Sequence, residues 1–196
     1  KGRLHQGFDE WELTPGLKKS NTTDENVTSP KLLKIALRHL SNKVNTDGNF
    51  FALYHFLDPH DQYMGHVGVP KMGRGARGNY NGEIFFTDKH LGKLLAFVDA
   101  QPWGKNTAVI ITSDHGETFG EHGMYRHGFE LWQELIHVPL LIRVPGYEAK
   151  TIDVARGGID IPPTIMALLG VKPHESYQGH NLLPEMRGET APAHRP

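Results

Sequence analysis

Leu33, Leu37, Leu40 and Val44 recur at the i, i+4, i+7, i+11 spacing of one helical face. Ser29-Pro30 supplies an N-cap and a first-turn proline for this helix, and Asp47-Gly48-Asn49 ends it. Tyr80, Ile84, Leu91, Leu95 and Val98 mark a second amphipathic helix that stops near Pro102-Trp103-Gly104. A third helix opens at Asp160-Ile161-Pro162-Pro163 and closes on Gly170. Three apolar runs, at 50–57, 107–113 and 138–144, read as strands. The first two lack alternation and are expected to be buried. Pro139 puts the third at a sheet edge or a strand start. Residues 58–79 read as a loop rich in glycine and polar residues.

Strands alternating with helices predict an α/β fold, with a mostly parallel sheet flanked by helices. A chain of 196 residues suits one domain. Residues 1–29 form a polar lead-in, 30–170 the core, and 171–196 a partly irregular extension. The apolar fraction of 38% and charged fraction of 22% exclude a disordered tail or a collagen-like repeat. The net charge of -1 argues against a nucleic-acid or anionic-membrane partner. No run approaches the 18 apolar residues of a membrane span. The absence of cysteine removes thiol catalysis, thiolate metal sites and disulfides. The 13 histidines change the picture, because imidazole is the commonest neutral metal ligand and trades protons near neutral pH.

In such sheets the reacting groups gather beyond the carboxyl ends of strands. Asp114-His115-Gly116-Glu117 follows the second strand. Adjacent side chains diverge within a strand, but at a strand end followed by glycine both can turn toward one ion. A carboxylate with an imidazole suits Mn²⁺ or Zn²⁺ better than Ca²⁺. A capping Asp beside a surface His is the plainer alternative. His127 follows His115 by twelve positions in a glycine-rich loop, where an imidazolium would bind an anionic oxygen or protonate a leaving group. His60, just past the first strand and beside Pro59, is a second cation or donor for an anion. His55 reads as a hydrogen-bonded core residue, and His122 as loop surface. Arg74 and Arg77 form a basic rim that would steer an anionic substrate. They lie in Gly73-Arg74-Gly75-Ala76-Arg77-Gly78, whose G-x-G-x-x-G spacing lacks the preceding strand of a dinucleotide site. Ser113 and Glu117 are placed as supports around the metal pair. The tryptophans read as packing residues.

Six stretches, in order, resemble the sulfatase family of the alkaline phosphatase-like superfamily. They are Gly7-Phe8-Asp9, the aromatic run 50–63 with its Asp-Pro-His-Asp-x-Tyr ending, and Tyr80-x-Gly-Glu-Ile with Thr87-Asp88. Ser-Asp-His-Gly-Glu with Gly-Glu-His-Gly at 113–123 follows, then the Val-Pro-Leu-Leu-Ile segment at 138–142 and Asp160-x-x-Pro-Thr-Ile. The resemblance implies a three-layer α/β sandwich, incomplete here, and metal-dependent hydrolysis of an anionic small-molecule or glycan sulfate ester. It implies Asp114 and His115 as ligands of one divalent ion. Many sulfatases carry Asn at the second position and bind Ca²⁺, whereas His115 is similar to Mn²⁺- or Zn²⁺-using phosphonate monoester hydrolases, phosphodiesterases and phosphoethanolamine transferases. His60 and His127 fall on positions that contact the sulfate or phosphate. The family's formylglycine nucleophile arises from Cys or Ser in Cys/Ser-x-Pro-x-Arg, which these residues lack. The nucleophile is therefore expected in an N-terminal segment of the family outside this chain, and a non-catalytic, anion- or partner-binding homologue is the competing expectation. A periplasmic or secreted setting is implied by the family.

Overall fold

The structure is a computed structural model and describes residues 5–13, 27–60, 62–128 and 130–189. Its elements are α1 (Ser29–Ser41), α2 (Lys43–Thr46), α3 (Gly75–Asp99), β1 (Val109–Thr112), β2 (Thr118–Phe119), β3 (Tyr125–Arg126), α4 (Gln133–Ile136), β4 (Leu140–Arg143), α5 (Ile161–Leu168) and α6 (Leu183–Met186). The chain divides into two compact units. One comprises the described residues up to Gly104 together with His115–His137; the other comprises Lys105–Asp114 and the described residues from Val138 onward.

In the first unit α1 packs on α3. Leu33, Ala36, Leu40, Leu94 and Val98 form the core, flanked by Phe50, Tyr54, Phe56, Phe97 and Trp103. Ala36 is fully buried, which lets the two backbones approach closely. Thr28, not Ser29, is the N-cap of α1, and its side chain makes no capping bond. The cap comes from Asp58, which accepts hydrogen bonds from the Thr28 amide at 3.1 Å, the Ser29 amide at 2.7 Å and the Ser29 hydroxyl at 2.6 Å. A carboxylate there satisfies orphan amides and meets the positive end of the helix. Asn42 breaks the helix early, so Val44 lies in α2 and is exposed rather than on the α1 face.

Two further expectations change. Residues 50–57 pair with no strand among the described residues. They remain extended along the core, with Phe50, Tyr54 and Phe56 against it and Phe51 and Leu53 outward. His55 is exposed, so it is not a core histidine. The second helix starts at Gly75, inside what reads as a loop, and its buried stripe is Gly78, Glu83, Thr87, His90, Leu94 and Val98. Ile84 is exposed. Polar members of the stripe have specific partners: the Thr87 hydroxyl donates to the Asp58 carbonyl at 3.0 Å, and His90 Nδ1 donates to the Phe86 carbonyl at 2.8 Å. Satisfied polar groups can be buried where hydropathy alone would put apolar ones.

In the second unit β1 and β4 pair antiparallel, from Val109 with Arg143 to Thr112 with Leu140. Pro139 precedes the first β4 residue, a place where its missing N–H costs no ladder bond. The excursion 113–139 returns the chain alongside its own outgoing strand, so this pair runs opposite to the parallel arrangement expected from strand–helix alternation. A buried polar network follows. Asp160 accepts from the Gly157 amide at 3.0 Å and the His180 amide at 2.7 Å. Thr164, fully buried, donates to the Asp160 carbonyl and accepts from the Leu182 amide. Arg156 holds Glu185 with two bonds, at 2.9 and 2.7 Å. No helix among the described residues is long and apolar enough to cross a membrane.

Candidate active site

The site is built by a small hairpin in the first unit. β2 and β3 pair Thr118 with Arg126 and Phe119 with Tyr125. One step outside the Thr118–Arg126 pair, at the open end of the hairpin, Glu117 lies opposite His127, and His127 Nδ1 is 3.2 Å from both Glu117 oxygens. A carboxylate only accepts, so Nδ1 carries the proton and Nε2 is left for other chemistry. Two of the hairpin's residues with side chains take positive φ, His122 in the turn at 55° and Arg126 in β3 at 73°. Such conformations are uncommon for residues with a side chain. The buried Thr118 hydroxyl donates to the Arg126 carbonyl and supports the second of them. Thus the residue just before His127 is held in a sparsely populated conformation by its cross-strand partner.

His115 enters from the other side. Its ring stacks on that of His127 with centroids 3.9 Å apart and planes at 29°. Its Nδ1 donates to the Gly116 carbonyl at 2.8 Å, which makes Nε2 the nitrogen that carries the lone pair. Gly116 is required by space. Its amide donates to the Leu135 carbonyl at 2.7 Å, and a Cβ there would sit 2.1 Å from the Glu134 carbonyl oxygen. His60 completes the group, its ring 5.5 Å from that of His127 at 70°. Three imidazoles and a buried carboxylate thus converge from positions 60, 115, 117 and 127.

Two residues that pattern reading does not single out belong here. Tyr63 donates its hydroxyl to Glu117 Oε2, and its ring packs against Tyr80 and Phe119. Burial and the Glu117 charge push the Tyr80 phenol above its usual range. Glu83 is buried and accepts from the His60 amide at 3.3 Å and the Met64 amide at 2.9 Å. An acid on the buried stripe of a helix is the signal that would have found it. Next to Glu83 lies His66, 3.5 Å from Oε1 and stacked on Phe86; burial lowers its affinity for a proton.

The remaining candidates are placed as follows. Arg77 pairs with Glu121 and lies over the Phe119 ring at 4.9 Å. The Phe119 amide, ahead of Arg77, holds the Glu121 carboxyl down at about 2. Arg74 is the exposed N-cap of α3. His122 stacks on Trp132 at 4.1 Å and pairs with Glu134 at 3.4 Å, rather than joining the three rings. Ser113 and Asp114 end the Lys105–Asp114 segment of the second unit; Asp114 precedes His115 in the chain and is exposed. Among the described residues no three His, Cys, Asp or Glu side chains surround one ion position.

Comparison with known proteins agrees with this architecture. The Sulfatase family profile matches residues 5–171. The chain is 35% identical over 98 residues to the uncharacterized sulfatase YidJ of Escherichia coli K12, covering 50% of this chain and 20% of that protein. It is 33% identical over 100 residues to an ulvan-active sulfatase of Formosa agariphila, covering 49% of this chain and 20% of that protein. The crystal structure of a putative sulfatase from Bacteroides thetaiotaomicron superposes with a TM-score of 0.65 at 18% identity, over 94% of this chain and 52% of that one. The chain belongs to the sulfatase family and carries an incomplete alkaline phosphatase-like α/β fold. It spans about a fifth of the length of the curated relatives it matches.

Proposed function

We propose that this chain supplies the leaving-group side and part of the metal site of a metal-dependent sulfuric ester hydrolase. The observation that carries the reading is the convergence of the His60, His115 and His127 rings beside Glu117. His60 would bind a non-bridging oxygen of the sulfuryl group and His127 the bridging ester oxygen, where positive donors stabilise charge developing in the transition state. As the family nucleophile forms its bond to sulfur and the S–O(ester) bond breaks, protonated His127, with Nδ1 committed to Glu117, would give its Nε2 proton to the departing ester oxygen. The alcohol then leaves neutral and His127 is left with Nε2 unprotonated. Tyr63, by donating to Glu117, fixes the carboxylate that orients His127. Asp114 and His115 would hold one divalent ion, with Mn²⁺ or Zn²⁺ favoured over Ca²⁺ by the imidazole. Such an ion polarises a sulfuryl oxygen. Ser113 would support that pair, and Arg74 would steer the anionic ester. Arg77 is already engaged by Glu121. The nucleophile, formylglycine in the family, is not supplied by these residues. An anionic glycan sulfate ester is the proposed substrate class, supported by the ulvan-active relative, and a periplasmic or secreted setting follows from the family.

His115 favours a second reading, phosphodiester or phosphonate monoester hydrolysis, because its imidazole departs from the Asn that the resemblance implies for many sulfatases. Hydrolysis of an aryl sulfate and of a bis-aryl phosphate by the full-length protein, with Mn²⁺, Zn²⁺ or Ca²⁺ supplied, separates the two. Faster turnover of the sulfate is expected. Faster turnover of the phosphate selects the second reading. Failure on both with every metal would leave an anion-binding homologue and refute the enzyme reading.

A further inference from the structure

We infer that Glu83 is a positioning residue for His60: its buried carboxylate collects the His60 and Met64 amides and thereby fixes where the His60 ring stands against His127. The inference rests on the reading of His60 as an anion-binding group. Residues 58–60 and 62–64 make no regular structure, so their position depends on what grips them. At one end the Asp58 carboxylate is bound to the start of α1, and the Asp58 carbonyl is bound by Thr87. Two residues on, the grip passes to Glu83, whose two oxygens each take one amide, from residues four apart. Only a carboxylate suits this. It is acceptor-only at both oxygens, whereas Gln would turn an NH₂ toward one of the two N–H groups. Glu83 is 2% exposed, so water cannot readily replace a lost acceptor, and an unsatisfied amide bears its full desolvation cost. A buried carboxylate is itself costly, and it lies outside the apolar cluster that holds α1 on α3. The contacts that offset this cost are with the loop that carries His60.

Sulfate is the probe, bound to the full chain and measured by calorimetry for the parent, His60→Ala, Glu83→Gln and the double variant. Both single variants are expected to weaken sulfate binding roughly tenfold, the scale of one hydrogen bond to a charged group. The double variant should bind no more weakly than His60→Ala, because Glu83 acts through His60. A purely structural role would instead give additive losses, and additive losses overturn the inference. So does unchanged affinity in Glu83→Gln when His60→Ala is weakened. Unchanged affinity in His60→Ala overturns the reading of His60 itself, a separate failure. Amide exchange tests the link without sulfate. In Glu83→Gln, or in Glu83→Asp should the first lower the melting temperature, the His60 and Met64 amides should exchange faster while the Leu94 amide stays protected. Parent-like exchange at His60 and Met64 refutes the link.

Discussion

His127 and His180 each stand beside a buried carboxylate, and they differ in what feeds it. Asp160 receives its bonds from main-chain amides, those of Gly157 and His180 itself, while the His180 ring remains 4.0 Å away and 41% exposed. Glu117, with a side chain only 4% exposed, instead receives side-chain groups, the Tyr63 hydroxyl and His127 Nδ1. An acid saturated by backbone is a strut, since moving it would unmake a turn. An acid that meets a ring nitrogen sets that ring's proton and orientation, leaving the second nitrogen for chemistry. A carboxylate beside a histidine thus stands in two different settings, and only its partners tell them apart.

The contrast can be broken most strongly by kinetics. On the proposed reading, His127→Ala in the full-length protein should lower kcat/KM for an aryl sulfate by about 10²–10⁴-fold, the range for a lost general acid. His180→Ala should leave it within about twofold, and equal losses would erase the distinction. The strut side is read by stability. Glu185→Ala leaves Arg156 buried without its bidentate partner, both side chains being 9% exposed, and should cost about 3–5 kcal/mol in denaturant unfolding. A loss below about 1 kcal/mol would show that the pair is not buried in solution.

A smaller effect sharpens the picture through pH. Burial lowers the proton affinity of His66 below that of an exposed imidazole, so the unfolded chain binds this proton more readily than the native one. Stability from this group is present above the ordinary histidine range and is lost as pH falls through and below 6.5. His66→Phe should flatten that part of the stability profile; an unchanged slope contradicts the assignment. Least affected should be Arg77→Ala. Its ion pair with Glu121 is solvent-facing, so the unfolding free energy should move by less than about 1 kcal/mol.

The legible parts of the sequence were those with local causes. Gly116 after the Asp114-His115 pair, the glycines around 120–128 and Gly170 after the third helix mark places where backbone must turn or approach closely, and turning there is a property of the residues themselves. That 50–57 would form no strand was not legible. An apolar run specifies extension and burial, but a ladder requires a neighbour, and these residues have none among those described. The start of α3 at Gly75 was hidden by glycines that read as loop. Its buried face is hidden from pattern reading because Glu83, Thr87 and His90 are polar, and the partners of Glu83 and Thr87 lie elsewhere in the chain. In the site, His60, His115 and His127 stood out by residue type beside strand ends and glycines. Tyr63 and Glu83 did not, since each matters through a contact made across 19 or more positions.

The central claim is that the His60 and His127 rings share one anion. It is tested most directly by following histidine ring resonances of the full chain during titration with sulfate. Both rings should shift together along a single binding curve, while the exposed His174, bonded to Ser176, should show only the shift of ionic strength. Independent curves for His60 and His127, or shifts no larger than that of His174, would contradict it.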